Sequence, residues 1–401
     1  MKIRSITCFL SAVDDKSLDT AGALAGAARQ TLEQAGYEVQ TMRLATLPFP
    51  QWVKPEDLPA RARELENAAA MRGFRYLSLG PADPALPAAY QAIPAAIAAT
   101  QDVFFSGRMT ANGRLYLPAV RACAAVIHQA ATITPNGFAN LRFAALANTP
   151  AGGPFFPAAY HQGDTPALAI AVESADLAVE AFTNAPDLET ARQTLAHAIE
   201  YHSFTISGIG GMLAHAANAL YHGLDFSLAP FPEQDRSLGE AFERLGLPAI
   251  GLHGSLAAAA LIADTIDRAR FVRTGFSGLM MPVLEDATLA RRAAEGTLTV
   301  MDLLLYSAVC GAGLDTVPLP GETTPEELYA LLLDVAALAL RLDKPLTARL
   351  MPIPGKKAGD PTEFDFAFFA PSRVMGLRAA PLTGLFASEA DFSLSPRWRG
   401  V

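Results

Sequence analysis

The chain has 401 residues, of which 51% are hydrophobic and only 18% charged. This excludes a disordered chain and supplies apolar material for an extensive core. A formal charge of −9 argues against a nucleic-acid partner, because the Lys/Arg concentration that displaces counterions from phosphates is missing. Three widely spaced cysteines, Cys8, Cys123 and Cys310, form no C-x-x-C pair, so neither a disulfide framework nor a thiolate zinc site is expected, and a reducing, cytoplasmic setting is.

In chain order, residues 1–13 have a basic edge and a short apolar run that meets Asp14 and Asp15 at once. That reads as a first core strand rather than a signal peptide. Residues 18–35 predict an amphipathic helix, 37–44 a strand ending at a Pro48–Pro50 turn, 55–72 a helix and 76–79 a short buried strand. Residues 117–131 predict a helix, 143–147 and 167–172 strands, and 188–219 a long helical region softened by Gly208, Gly210 and Gly211. Strands are expected at 226–229, 279–284 and 346–353, and helices at 255–268, 287–295, 300–309 and 325–341. After Arg373 the periodicity fades, and the tail is expected to wrap the surface.

Uncharged stretches at 201–224 and 245–263 are broken by His202, Gly210, Gly211, His215, Pro248 and His253. Buried helices account for them better than a membrane span. Alternating helices and strands predict βαβ units around a mostly parallel sheet, with about ten repeats favouring a closed barrel. One α/β domain over 1–401 is expected, with a Pro/Gly-rich internal seam, or an active-site loop, at 148–163.

Ligands of parallel α/β folds gather where strands end, so the candidate residues are sought there, in the second half. Gly223-Leu224-Asp225-Phe226-Ser227 runs into two prolines that fix the Asp225 carboxylate and the Ser227 hydroxyl; the competing reading is a turn capped by Asp225. In Gly251-Leu252-His253-Gly254-Ser255, glycines would let the backbone approach a ligand beside His253, with Ser255 as N-cap of the next helix. Cys310-Gly311-Ala312-Gly313-Leu314-Asp315 sets a thiol and a carboxylate near one turn. No histidine adjoins Cys310, so Asp315 is preferred to the thiol. Arg349 precedes a Gly355-Lys356-Lys357-Ala358-Gly359 loop suited to clamping an anion, although its glycine spacing is not that of a P-loop. His161 follows an apolar loop, and Glu285-Asp286 ends an expected strand.

These loops, with Ile3-Arg4-Ser5-Ile6-Thr7 at the start, are similar to the uncharacterised family called domain of unknown function 711, often labelled "PFL family". The matching runs are G-L-D-F-S-L-A-P-F-P at 223–232, G-L-H-G-S at 251–255, C-G-A-G-L-D-T-V-P-L-P-G-E-T at 310–323 and the loop at 349–360. The resemblance implies a single ten-stranded α/β barrel like that of the glycyl-radical enzymes, built from two five-stranded halves with helices outside. It implies no radical chemistry and no known activity.

The expectation is an enzyme of hydrolase or lyase type acting on a small anionic metabolite in the barrel mouth. Asp225 and Asp315 would be the acid/base or metal-binding carboxylates and His253 the proton shuttle. Ser227, Arg349, Lys356 and His161 would bind substrate. No NAD, FAD or nucleotide fingerprint is present, because Gly208-Ile209-Gly210-Gly211 lies inside a helical stretch. A divalent metal is chemically compatible with the candidate carboxylates and histidines, although their spacing names none. The alternatives are a non-catalytic metabolite-binding or regulatory protein, and a homo-oligomer assembled through apolar helices.

Overall fold

The computed structural model describes residues 1–397. Its twelve strands are β1 (Lys2–Phe9), β2 (Val39–Ala45), β3 (Tyr76–Ala82), β4 (Val103–Arg108), β5 (Thr110–Ala111), β6 (Arg114–Tyr116), β7 (Phe143–Ala147), β8 (Ala167–Glu173), β9 (Leu220–Ala229), β10 (Gly313–Pro320), β11 (Leu346–Ile353) and β12 (Asp391–Ser393). Nine of them form one mixed sheet in the order β10-β11-β7-β4-β3-β2-β1-β8-β9. Strands β1, β2, β3, β4 and β7 are mutually parallel. The pairs β8/β9 and β10/β11 are parallel within themselves and meet that block antiparallel, at β1/β8 and β11/β7. A central parallel block of five strands is therefore flanked at each edge by a pair running the opposite way, and helices cover the sheet.

Local sequence explains the helices. Asp14 caps the helix Asp15–Gln34 by accepting from the Ser17 N–H at 2.8 Å. Its buried residues Leu18, Ala21, Leu24, Ala25, Ala28 and Leu32 recur at helical spacing, so one face packs on the sheet. Thr324 and Glu327 form a capping box around Pro325 at the start of Pro325–Leu342. The helix Leu188–Ala216 runs unbroken through its glycines; Gly210 is required because the Tyr221 ring lies 2.6 Å from where a β-carbon would stand. The helix Pro87–Ala99 and strand β4, in a stretch where the sequence reading placed no element, extend the same alternation. The tail does not simply wrap the surface: Val374 and Met375 are buried, and β12 pairs antiparallel with β6.

The segment expected as a strand at 279–284 differs. It makes one isolated bridge, from Pro282 to Asp315 in β10, and its Met280 N–H donates to the Ser227 carbonyl at 3.0 Å, while Arg273, ahead of it in the chain, bridges Leu224 in β9. It then turns into a 3₁₀ turn, Val283–Glu285. Pro282 offers no N–H to a ladder. Both neighbouring strands are kinked here, with Leu228 at φ 45° and Thr316 at φ 41° and register shifts beside each. A continuous ladder cannot form between bulged neighbours, so the regular sheet has nine strands rather than the ten expected.

Candidate active site

A cavity of ≈ 80 Å³ is walled by residues of the nine-stranded sheet. Strands β1, β2, β3, β4, β8, β9 and β11 all contribute to its wall, including Arg4, Arg43, Tyr76, Phe104, Asp225 and Arg349. The loop Pro154, Phe155 and Phe156 forms one rim. Phe366 and Phe368, from the segment after β11, form another.

Its polar wall is a relay of alternating charges. Arg349 donates from Nε to Asp315 Oδ1 at 2.5 Å and from Nη2 to Glu285 Oε1 at 2.8 Å. The other Glu285 oxygen accepts from Arg4, whose Nη1 also stands 3.9 Å from Glu173. Glu173 in turn pairs with Arg236 and accepts from Gln40 Nε2 at 2.7 Å. Burial works against the charge on Glu285, yet the Arg4 and Arg349 guanidiniums hold its carboxyl below the usual range. Burial instead wins at Asp315, which is pushed up despite Arg349. Its Oδ2 is buried without a hydrogen-bond partner among the described residues.

Arg43 stands outside this relay. Its Nε donates to Thr41 Oγ1 at 2.9 Å, and its guanidinium lies over the rings of Tyr76 and Phe156, 5.5 and 5.3 Å from their centroids. Among the described residues no carboxylate lies within ion-pair distance of it. Burial and the nearby Arg4 charge push its pKa down, but a guanidinium stays charged at neutral pH.

Asp225 works partly as a latch. Its carboxylate accepts from the Ser227 hydroxyl, from the Ser277 N–H at 3.0 Å and from the Phe276 N–H at 3.2 Å. It thereby pins the segment after Arg273 onto β9. Burial raises it and these three donors oppose the rise. The bulges follow directly after Ser227 and Asp315 in sequence. They re-aim the two strands at the site, and a β-branched residue such as Thr316 at positive φ is held there only by surrounding structure.

Of the expected site residues, Asp225, Ser227 and Arg349 line the cavity, with Asp315 on Arg349 behind the wall. His253 does not join them. It is exposed on the loop before the helix Ser255–Arg268. There Gly251 serves the approach of the Thr297 carbonyl, 2.0 Å from a notional β-carbon, rather than of a ligand. Ser255 is the first helical residue, not the cap, and its hydroxyl donates to the Leu252 carbonyl at 2.7 Å. Lys356 pairs with Glu363 at 3.1 Å, away from the cavity wall. His161 is buried near the rings of Phe9 and His222, at 6.0 and 6.3 Å, with neither ring nitrogen partnered among the described residues. Cys310 is buried, and its carbonyl accepts from Lys344.

The search of second-half loops left out Arg4, Gln40, Arg43 and Tyr76, which line the cavity from first-half strands, and Glu173 beside Arg4. Their signal was available: an arginine inside an otherwise apolar strand, as in Ile3-Arg4-Ser5-Ile6 and Met42-Arg43-Leu44-Ala45, is poor core material unless it faces a polar site. Among the described residues, no three His, Cys, Asp or Glu side chains are grouped to hold a metal. No described helix is long and apolar enough to cross a membrane.

A family model described as "Uncharacterised ACR (DUF711)" matches residues 1–368. The chain is 32% identical over 356 residues to a UPF0210 protein of Pyrobaculum arsenaticum, covering 83% of this chain and 78% of that one. A UPF0210 protein of Pyrobaculum islandicum is 33% identical over 359 residues, with the same coverage of both chains. One from Neisseria meningitidis serogroup C is 27% identical over 363 residues, covering 85% and 80%. The chain thus belongs to the uncharacterised DUF711 family, and the relatives it matches carry the name UPF0210.

Proposed function

We propose that the cavity binds a small anionic metabolite and acts on it by proton transfer, as a hydrolase or lyase does. The observation that carries this reading is Arg43, a charged guanidinium facing the cavity with no carboxylate partner while Arg4, Arg349 and Arg236 are each paired. Holding an uncompensated cation away from bulk water is unfavourable unless a ligand completes it, and a guanidinium fork matches a carboxylate or phosphate.

Two carboxylates on the wall have environments that push them apart, which is the pattern of an acid and a base. Asp225, raised by burial, is the acid in this reading. Glu285, held ionised by two arginines, is the base. Asp315 orients Arg349, and His253 has no part. The same contacts favour the ten-stranded barrel: residues 273–282 span the gap between edge strands β9 and β10, acting as a tenth, irregular stave.

The test is calorimetric titration of small carboxylates and phosphates into the wild type and Arg43→Gln, with product followed by NMR. Binding that depends on Arg43, and turnover lost in Glu285→Asp, supports the enzyme. Binding without turnover on the full panel leaves a ligand-binding protein, and equal binding by both proteins removes the anion reading.

A further inference from the structure

Of the four guanidiniums at and behind the cavity wall, only that of Arg43 has no carboxylate partner among the described residues. Arg349, Arg4 and Arg236 hold Asp315, Glu285 and Glu173, and Arg236 also pairs with the exposed Glu233 at 3.0 Å. The Asp225 carboxylate is occupied by its own three donors. That leaves room for one anionic group, on Arg43. A second negative charge would have to displace Glu285 or Asp315 from arginines they already hold, a substitution that recovers nothing for the carboxylate left unpaired.

The remaining wall is largely apolar and aromatic. Tyr76 and Phe156 flank the Arg43 guanidinium, while Phe104, Phe155, Met280 and Phe366 line the space beyond it. Flat rings present faces and edges that suit a flat, apolar body better than a hydroxylated one, which would find few partners there.

The geometry points to a small monocarboxylate with a flat or branched apolar body as the ligand class, its carboxylate bidentate on Arg43 and its body among the aromatic side chains. This rests on the reading of the cavity as an anion site and goes one step past it. The probes are benzoate, isovalerate, the neutral isostere benzamide, succinate and inorganic phosphate, titrated calorimetrically into the full chain and into Arg43→Gln. The expected result is that benzoate or isovalerate binds at least tenfold tighter than benzamide, succinate or phosphate, and that Arg43→Gln removes the advantage. If succinate or phosphate binds as tightly as the monocarboxylates, with the same dependence on Arg43, the monoanion assignment fails and the anion site stands. If no probe shows any dependence on Arg43, both fail.

Discussion

Gly275 packs so closely on Asp225 that a β-carbon at position 275 would lie 2.2 Å from Oδ2. The glycine also sits at φ 64°, so the latch joining residues 273–282 to β9 has room for no side chain. Gly275→Ala should destabilise the protein by about 2–4 kcal/mol, combining overpacking with a left-handed backbone. Urea unfolding followed by circular dichroism checks this, and a loss below about 0.5 kcal/mol, the range of an ordinary surface change, would show that the latch is not tight.

Arg43 should trade stability for binding. Replacing an unpaired, half-buried cation with an apolar side chain of similar length relieves its desolvation, so Arg43→Met should leave the ligand-free protein as stable as the wild type or up to about 2 kcal/mol more stable. The same change should abolish stabilisation by added anion. A large fall in the melting temperature of the ligand-free variant would mean that its stacking on Tyr76 and Phe156 is structural.

The two carboxylates on Arg349 should shape the pH profile in opposite senses. Asp315 is raised in the folded state, so the fold keeps a proton that the unfolded chain releases near pH ~3.9. Its contribution is fully present below that value and is lost as pH rises through the folded-state pKa. The stability of the wild type minus that of Asp315→Asn should therefore fall with rising pH from about 4 upward. Glu285 is lowered, so its contribution is present above the unfolded value of ~4.3 and is lost as pH falls through the folded one. Denaturant titrations of both variants across pH 3–7 (roughly the span of these values) would reveal the opposite slopes.

Glu285 and His253 should differ in kind. Glu285→Gln leaves the buried Arg349 and the partly buried Arg4 guanidiniums sharing a neutral amide and should cost about 3–5 kcal/mol. His253→Ala removes an exposed side chain with no hydrogen bond among the described residues and should lie within about 0.5 kcal/mol of the wild type, with unchanged anion binding. Thermal unfolding and calorimetry on the two variants separate the roles; a loss of binding in His253→Ala would reinstate the histidine.

Elements with strong local signals were legible without coordinates. The helices at 117–131, 255–268 and 287–295 and the strands at 143–147 and 346–353 carry apolar periodicity and end where capping or turn residues sit. Strand β9 begins earlier than expected, inside the uncharged stretch 201–224 that reads as buried helix. Its glycine, Gly223, is needed where the Val272 carbonyl comes within 2.4 Å of a notional β-carbon, an approach set by a segment fifty residues away. The segment 279–284 read as a strand from its apolar run; bulges on both neighbours, invisible in its own residues, denied it a ladder.

Composition and periodicity alone determined an α/β chain with a large apolar core, and they marked Asp225, Ser227, Asp315 and Arg349 as unusual, because a polar residue interrupting an apolar run is a local fact. Which of the marked residues meet was decided only by the fold. Three strands of one sheet set Arg4, Arg43 and Arg349 around one space although they are far apart in the chain, while His253, equally conspicuous in sequence, was carried to the surface. Pairing and burial depend on which strands lie side by side, and that is a property of the whole sheet rather than of any stretch of residues.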